Sequence, residues 1–296
     1  MERDFIIAIF SGLGGMLGWG FADFFAKKTM DKIGDLSTLA WSHLFGTMTF
    51  FVAQAYQLTA HPESVVIPTA FKTWFFLWLF GSVQATIYFF VYKGFAKGQV
   101  GILSPVFASF SGLSALMSVL LFQEAFNPSL FWRLAILFIG ILLVNFQGIS
   151  PRGPAFKGVP GLTEVLIATV LASFWTVFWD QFIGEQHWLV ATSIMYTLMT
   201  AMIFITSAWQ RVHLQFQEKG VWKFLIAIGF FETAAFASVS LGYHATTLTS
   251  VIALLSGGFA LPVMILSRLF LSEKISFIQT VGSLAIVAGV MLITIL

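Results

Sequence analysis

The sequence predicts an all-α, polytopic membrane protein of ten transmembrane helices, arranged as two inverted five-helix repeats. Three observations predict it. Only 9% of the 296 residues are charged, against 58% hydrophobic; a soluble domain carries about 25% charged residues, so lipid has to cover most of this surface. Ten apolar runs reach about the 20 residues that a helix needs to cross hydrocarbon. Finally, residues of the second half reproduce those of the first at a nearly constant offset.

The runs follow in order. Residues 5–26 form an apolar stretch longer than a signal-peptide core and without a small-x-small cleavage site, so this helix is expected to be retained. "KKTMDKIGD" separates it from 36–58, and "HPESVVIPTAFK" leads into 71–93. Lys93 and Lys97 mark the step to 99–122, and "AFNP" the step to 129–148. "SPRGPAFKGVPG", Ser150 to Gly161, reads as a linker because Pro and Gly punctuate it. The expected units are therefore 1–149 and 161–296, joined by 150–160. The second unit holds runs 161–183, 187–209, 221–243, 248–271 and 276–296. A membrane barrel would instead show alternating ten-residue segments and many turns.

Charge sets the expected orientation. With ten spans both termini lie on one side, together with Arg3, Lys72 and Arg133. The opposite side holds Lys27, Lys28, Lys32, Lys93, Lys97, Arg152, Lys157, Arg211, Lys219, Lys223, Arg268 and Lys274, which is 12 against 3 of the 15 basic residues. Short loops rich in Lys and Arg stay cytoplasmic, so both termini are expected outside a plasma membrane, a prokaryotic inner membrane. The net charge of +2 points to no nucleic acid, and the absence of Cys excludes disulfides and thiolate metal sites.

The repeat is carried by pairs in register. Glu124 matches Glu273 and Gly140 matches Gly289 at an offset of 149; Gly81 and Gly229, Gln84 and Glu232, Gly94 and Gly242 match at 148. Trp19 and Trp175 match more loosely at 156. An odd number of helices per unit reverses the second copy in the membrane. Inverted repeats recur in secondary transporters, with the binding site near the midplane between the halves.

"GWGFADFFAKK", "GILSPVFASFSGLSALMSVLLFQE" and its partner "SVIALLSGGFALPVMILSRLFLSEK" resemble the EamA-type transporters of the drug/metabolite transporter superfamily, as two units spanning nearly the whole chain. The resemblance implies a ten-helix secondary transporter of a small metabolite (an amino acid, a related metabolite or a drug-like molecule), often an exporter, working by alternating access. It also points to Trp19 as a contact.

The candidate pathway residues follow from polarity inside the spans. Glu232 stands near the middle of "FLIAIGFFETAAFASVSLGY", where an ionised group costs about 2.5–3.5 kcal/mol and so faces a cavity or a partner. It is a candidate for substrate binding and for proton coupling, against a structural carboxyl hydrogen-bonded in the bundle. Gln84, its repeat partner, offers an uncharged donor and acceptor or interhelical glue. Trp19, Tyr88 and Trp175 offer ring faces that can hold a cation, in a chain whose rings otherwise pack or face lipid. His43 can relay a proton or sit packed and neutral. Ser104, Ser109 and Ser256 flank helix breakers, Pro105 in one span and Gly257, Gly258 and Pro262 in its counterpart. Asp23 and Asp180 sit toward matching ends of the first and sixth runs, which inversion places on opposite sides of the membrane, as gate candidates; Asp23 and Lys27, four apart, share a helix face and can instead form an interfacial ion pair. Helix capping or interfacial pairing accounts for Glu124 and Glu273.

Other function classes find less in the sequence. An intramembrane enzyme needs a convergent acid–base or ligand set, and the five His are scattered. There is no phosphate loop and nothing resembling a selectivity filter, which leaves a channel or a non-transporting scaffold as the alternatives to a carrier. No cofactor is expected. The expected partners are a small-molecule substrate, the lipid bilayer and protons, and the unit is a monomer or a homodimer.

Overall fold

In hydrocarbon every backbone polar group has to be satisfied within its own segment, which leaves helices as the economical solution for apolar runs of this length. The computed structural model describes residues 2–62, 65–97, 100–124, 128–145, 159–214, 220–272 and 275–294. Among them there is no strand. The chain forms α1 (Glu2–Ile33), α2 (Asp35–Ala60), α3 (Phe71–Lys97), α4 (Val100–Ala108), α5 (Phe110–Phe122), α6 (Pro128–Asn145), α7 (Leu162–Gly184), α8 (Trp188–Trp209), α9 (Trp222–Ala245), α10 (Thr249–Gly257), α11 (Ala260–Phe270) and α12 (Phe277–Thr294). Most of the expected linker 150–160, and Glu273, lie outside the described residues.

Among the described residues, seven helical runs are long and apolar enough to cross a membrane, counting Thr249–Phe270 as one. Val106–Phe122 and Phe277–Ile293 are apolar but shorter. α2 has the length, 26 residues, but carries Ser37, Thr38, Ser42, His43 and Thr47, all buried against its neighbours. Outward faces are apolar: Phe10, Trp132 and Leu284 are 71%, 68% and 66% exposed. That is the reverse of a soluble bundle and suits a lipid surround.

Two of the expected continuous spans are broken. α4 and α5 part at Ser109, whose N–H reaches the Val106 carbonyl at 3.3 Å. α10 and α11 part at Gly258 and Phe259, with the Gly258 N–H on the Leu255 carbonyl at 3.1 Å. Ser109 and Gly258 stand 149 residues apart, the repeat offset. Among the described residues, twelve helices therefore occupy the ten runs read from the sequence.

Packing obeys the same exchange of halves. α1 packs on α9 as α3 packs on α7; α2 packs on α9 as α3 packs on α8; α5 meets α10, and α6 meets α12. The matched glycines stand at these crossings. A Cβ on Gly229 would meet the Gly46 backbone nitrogen of α2 at 2.5 Å, and one on Gly81 the Met195 carbonyl of α8 at 2.9 Å. Gly242 presses on Ser11 of α1 and Gly94 on Gly161 and Val165 at the start of α7. Gly140 meets Ile286 of α12, and Gly289 meets Leu137 of α6. Small residues let backbones approach this closely, so the glycine pattern marks equivalent interfaces in the two halves.

Candidate functional site

The helices enclose a cavity of about 610 Å³, within the range of small-molecule sites. α1, α2, α3, α6, α7, α9, α11 and α12 and the broken α4–α5 run all contribute to its wall. It runs from the centre of the bundle, at Trp175, Glu232 and Phe236, to the end where Met30, Asp35, Phe95 and Asn145 lie. Eight of the residues singled out in the sequence meet here: Trp19, Asp23, His43, Gln84, Tyr88, Ser104, Trp175 and Glu232.

Glu232, on α9, is 5% exposed. The Tyr88 hydroxyl of α3 donates to its Oε1 at 2.6 Å, and the Tyr196 hydroxyl of α8 donates to its Oε2 at 3.2 Å. His43 of α2 brings Nε2 to 3.2 Å from Oε1. The imidazole lies flat on the Tyr196 ring, with centroids 5.3 Å apart and planes 11° apart, and edge-on to Tyr88 at 5.1 Å. A buried carboxylate with two phenolic donors is a strongly tied group, because hydrogen bonds to an ionised acceptor are the strong ones.

Aromatic rings form the blind end. Trp175 donates Nε1–H to the Phe80 carbonyl at 2.9 Å and stacks on Trp179 at 5.4 Å; Trp179 donates to Ser240 at 3.1 Å. Phe236 packs edge-on to Trp19, Trp175 and Tyr196. Near the mouth Ser104 donates to the Asn145 side-chain oxygen at 2.7 Å, and Lys27 reaches Ser267 of α11 at 3.1 Å.

The remaining three candidates lie elsewhere. Ser109 and Ser256 are not part of the cavity wall; their hydroxyls bond carbonyls three residues back on their own helices, Val106 and Ala253. Asp180 is buried at the opposite, packed end, accepting from Thr249 at 2.6 Å and from Gln181 at 3.0 Å. Beside it Glu124 accepts from the Ser118 hydroxyl at 2.5 Å and from the Ser250 N–H and hydroxyl at 3.0 and 2.5 Å. Glu124 thus caps the first turn of α10, a helix distant in sequence. Burial pushes the Glu124 carboxyl above its ordinary value of 4.5, against the pull of the Ser118 and Ser250 hydrogen bonds.

Sequence reasoning missed Tyr196, Asp35 and Asn145. Tyr196 had a usable signal: it is one of five Tyr, and a phenol inside an apolar helix needs a partner. Among the described residues no group of three or more His, Asp or Glu is arranged to hold a metal.

Fold and cavity together define an integral membrane protein of two similar halves around a largely apolar chamber with a buried carboxylate. The chain belongs to the EamA-like transporter family, whose model matches residues 6–146 and 159–295. No curated protein matches it in sequence. One solved structure, described as "Crystal structure of protein", is similar with a TM-score of 0.79 and 16% identity, over 97% of this chain and 96% of that one. At that identity the likeness speaks for the fold.

Proposed function

We propose that this protein is a secondary active transporter that exports a small metabolite by alternating access, with proton coupling at Glu232. The observation that carries the reading is the large central chamber, open toward one end and closed toward the other, with a buried carboxylate at its centre. A channel needs a continuous passage, whereas here the end around Asp180 and Glu124 is packed.

The finer topology belongs to the same proposal. Ten spans form two inverted five-helix units, 1–149 and 161–296, with 150–160 between them. The equivalent helix breaks and glycine crossings support this. The 12-to-3 split of basic residues supports termini outside and a chamber open to the cytoplasm. Export is the direction the family resemblance favours. Trp19, Gln84, Tyr88, His43, Ser104 and Trp175 join Glu232 in the pathway. Ser109 and Ser256 act through the two helix breaks, Asp23 lines the open mouth, and Asp180 belongs to the closed gate. The working unit is a monomer or a homodimer.

The test is flux into proteoliposomes, screened across metabolites found to differ between cells with and without the protein. The expected result is saturable, gradient-dependent flux that Glu232→Gln abolishes. Unsaturable ion current would mean a channel, and undiminished flux in Glu232→Gln would remove the carboxylate from the mechanism.

A further inference from the structure

We propose that the seam between α1 and α9, at the open end of the bundle, holds one anionic phospholipid, with its phosphate between Lys28 and Lys223 and an acyl chain along the phenylalanines below them. The site lies on the lipid-facing surface and is independent of what the chamber carries.

Helical spacing puts Phe21, Phe25, Lys28 and Lys32 on one face of α1. α9 passes beside this face and brings Phe224 and Phe231, two turns apart. The rings interleave. Phe21 stacks on Phe231 at 4.9 Å, Phe231 on Phe25 at 6.0 Å and Phe25 on Phe224 at 6.0 Å, with planes 17–30° apart. Gly18 permits this approach, since a Cβ there would meet the Phe231 carbonyl oxygen at 2.7 Å. All four rings are half-buried, and Leu17, Ile226 and Phe230 around them are exposed. The seam is an apolar strip two helices wide, open to lipid along its length.

The strip ends in cations. Lys28 holds its ammonium 4.8 Å from the Phe24 ring centroid and 5.6 Å from that of Phe224, and Lys223 stands 5.1 Å from the same Phe224 ring. The two charges are therefore no farther apart than 5.6 and 5.1 Å laid end to end. Like charges this close repel, and among the described residues neither lysine pairs with a carboxylate. On the last turns of α1 and the first of α9, Lys28, Lys32 and Lys223 stand against Asp31, three positive charges to one negative. A lysine that merely snorkels sends its ammonium to water along an apolar stem. Lys28 is instead half-buried, with its ammonium against rings of both helices. An anion between Lys28 and Lys223 relieves the repulsion and leaves these ring contacts in place. A free phosphate would use the lysines alone. A phospholipid with a net negative headgroup uses the whole surface, phosphate at the lysines and acyl chain along the strip, and basic sites at membrane-helix ends favour such headgroups.

Native mass spectrometry of the purified full chain in detergent tests this. Dioleoylphosphatidylglycerol is the probe, with dioleoylphosphatidylcholine and inorganic phosphate as controls. One phosphatidylglycerol is expected to stay bound at concentrations where phosphatidylcholine does not, and the preference should fade as ammonium acetate is raised. Lys28→Gln and Lys223→Gln should each weaken phosphatidylglycerol binding about fivefold, and together about thirtyfold. Phe25→Ala should weaken both lipids, because it removes acyl-chain surface. Lys72→Gln, at the other end of the bundle, should change neither. Equal retention of the two lipids overturns the proposal, as does undiminished phosphatidylglycerol binding in the double lysine variant. Displacement of phosphatidylglycerol by inorganic phosphate would also overturn it, by showing a site for a free anion. The two-lipid comparison and the phosphate competition use the wild-type chain, so they decide the matter even if a variant fails to fold.

Discussion

The two ends of the bundle are built on one plan and fastened differently. At the closed end the first turn of α10 presents Thr249 and Ser250 to Asp180 and Glu124, in three hydrogen bonds of 2.5–3.0 Å, and Ser118 of α5 gives Glu124 a further one at 2.5 Å. At the open end the repeat positions are Val100 and Gly101, 149 residues earlier, and neither has a hydroxyl. The contacts described there are single: Lys27 to Ser267, Ser104 to Asn145, and the exposed Lys97 to Glu164. A carboxyl oxygen at a helix N-terminus accepts from N–H groups that have no partner within the helix. Symmetric frameworks therefore need not close with equal strength. The hydroxyls of Thr249 and Ser250 that bond Asp180 and Glu124 are not repeated in the sequence at 100 and 101.

Four experiments can break or sharpen that contrast. The largest effect is expected from removing both carboxylates, Glu124→Ala with Asp180→Ala. The three hydrogen bonds from Thr249 and Ser250 contribute about 1 kcal/mol each, so losing both anchors shifts the balance toward opening by about 3 kcal/mol, roughly a hundredfold. The chain has no Cys, which makes Ser240→Cys a clean reporter. Ser240 is 1% exposed and sits beside Trp179 near the closed end. An impermeant thiol reagent added from that end should label it in the latch variant and spare it otherwise. Unchanged labelling would mean that aromatic packing alone closes this end.

Tyr88→Phe comes second and tests whether the centre is independent of the ends. It removes the 2.6 Å bond to Glu232, and flux should fall tenfold or more while Ser240→Cys labelling stays unchanged. Third is pH. The closed state raises the Glu124 carboxyl above 4.5, so it binds the proton more tightly than a solvated, open state does. The contribution of Glu124 to closure is complete below 4.5 and is lost as pH rises through the raised value. Labelling of Ser240→Cys from the closed end should increase with pH, and Glu124→Gln should flatten that dependence. The smallest effect is expected at the open end. Lys97→Ala breaks an exposed ion pair with Glu164, and such pairs contribute little; unfolding temperature and labelling should both stay within experimental scatter.

Much of this fold was legible in the sequence, because apolar length and glycine spacing are local properties. Gly81, Gly94 and Gly140 and their partners could be matched by offset alone, and each pair stands at equivalent helix crossings. Glu232 was legible because hydrocarbon makes any carboxylate conspicuous. The limits lie where tertiary partners decide. Ser109 and Ser256 looked like Ser104, yet a helical serine can always bond a carbonyl of its own preceding turn, and both do. Asp23 and Asp180 read as matching gate residues, yet one lines the open chamber and the other is locked to Thr249. Tyr196 required knowing that α8 passes Glu232, which no spacing within α8 reveals.

One detail of His43 has a mechanical side. Its imidazole is clamped to the Leu39 carbonyl one turn back on α2, so the ring turns with α2, while Glu232 rides on α9. The 3.2 Å between them is thus a gauge of how two helices from different halves stand against each other. Any displacement of α9 against α2 changes this gap. Shape and charge are read at the same pair of atoms.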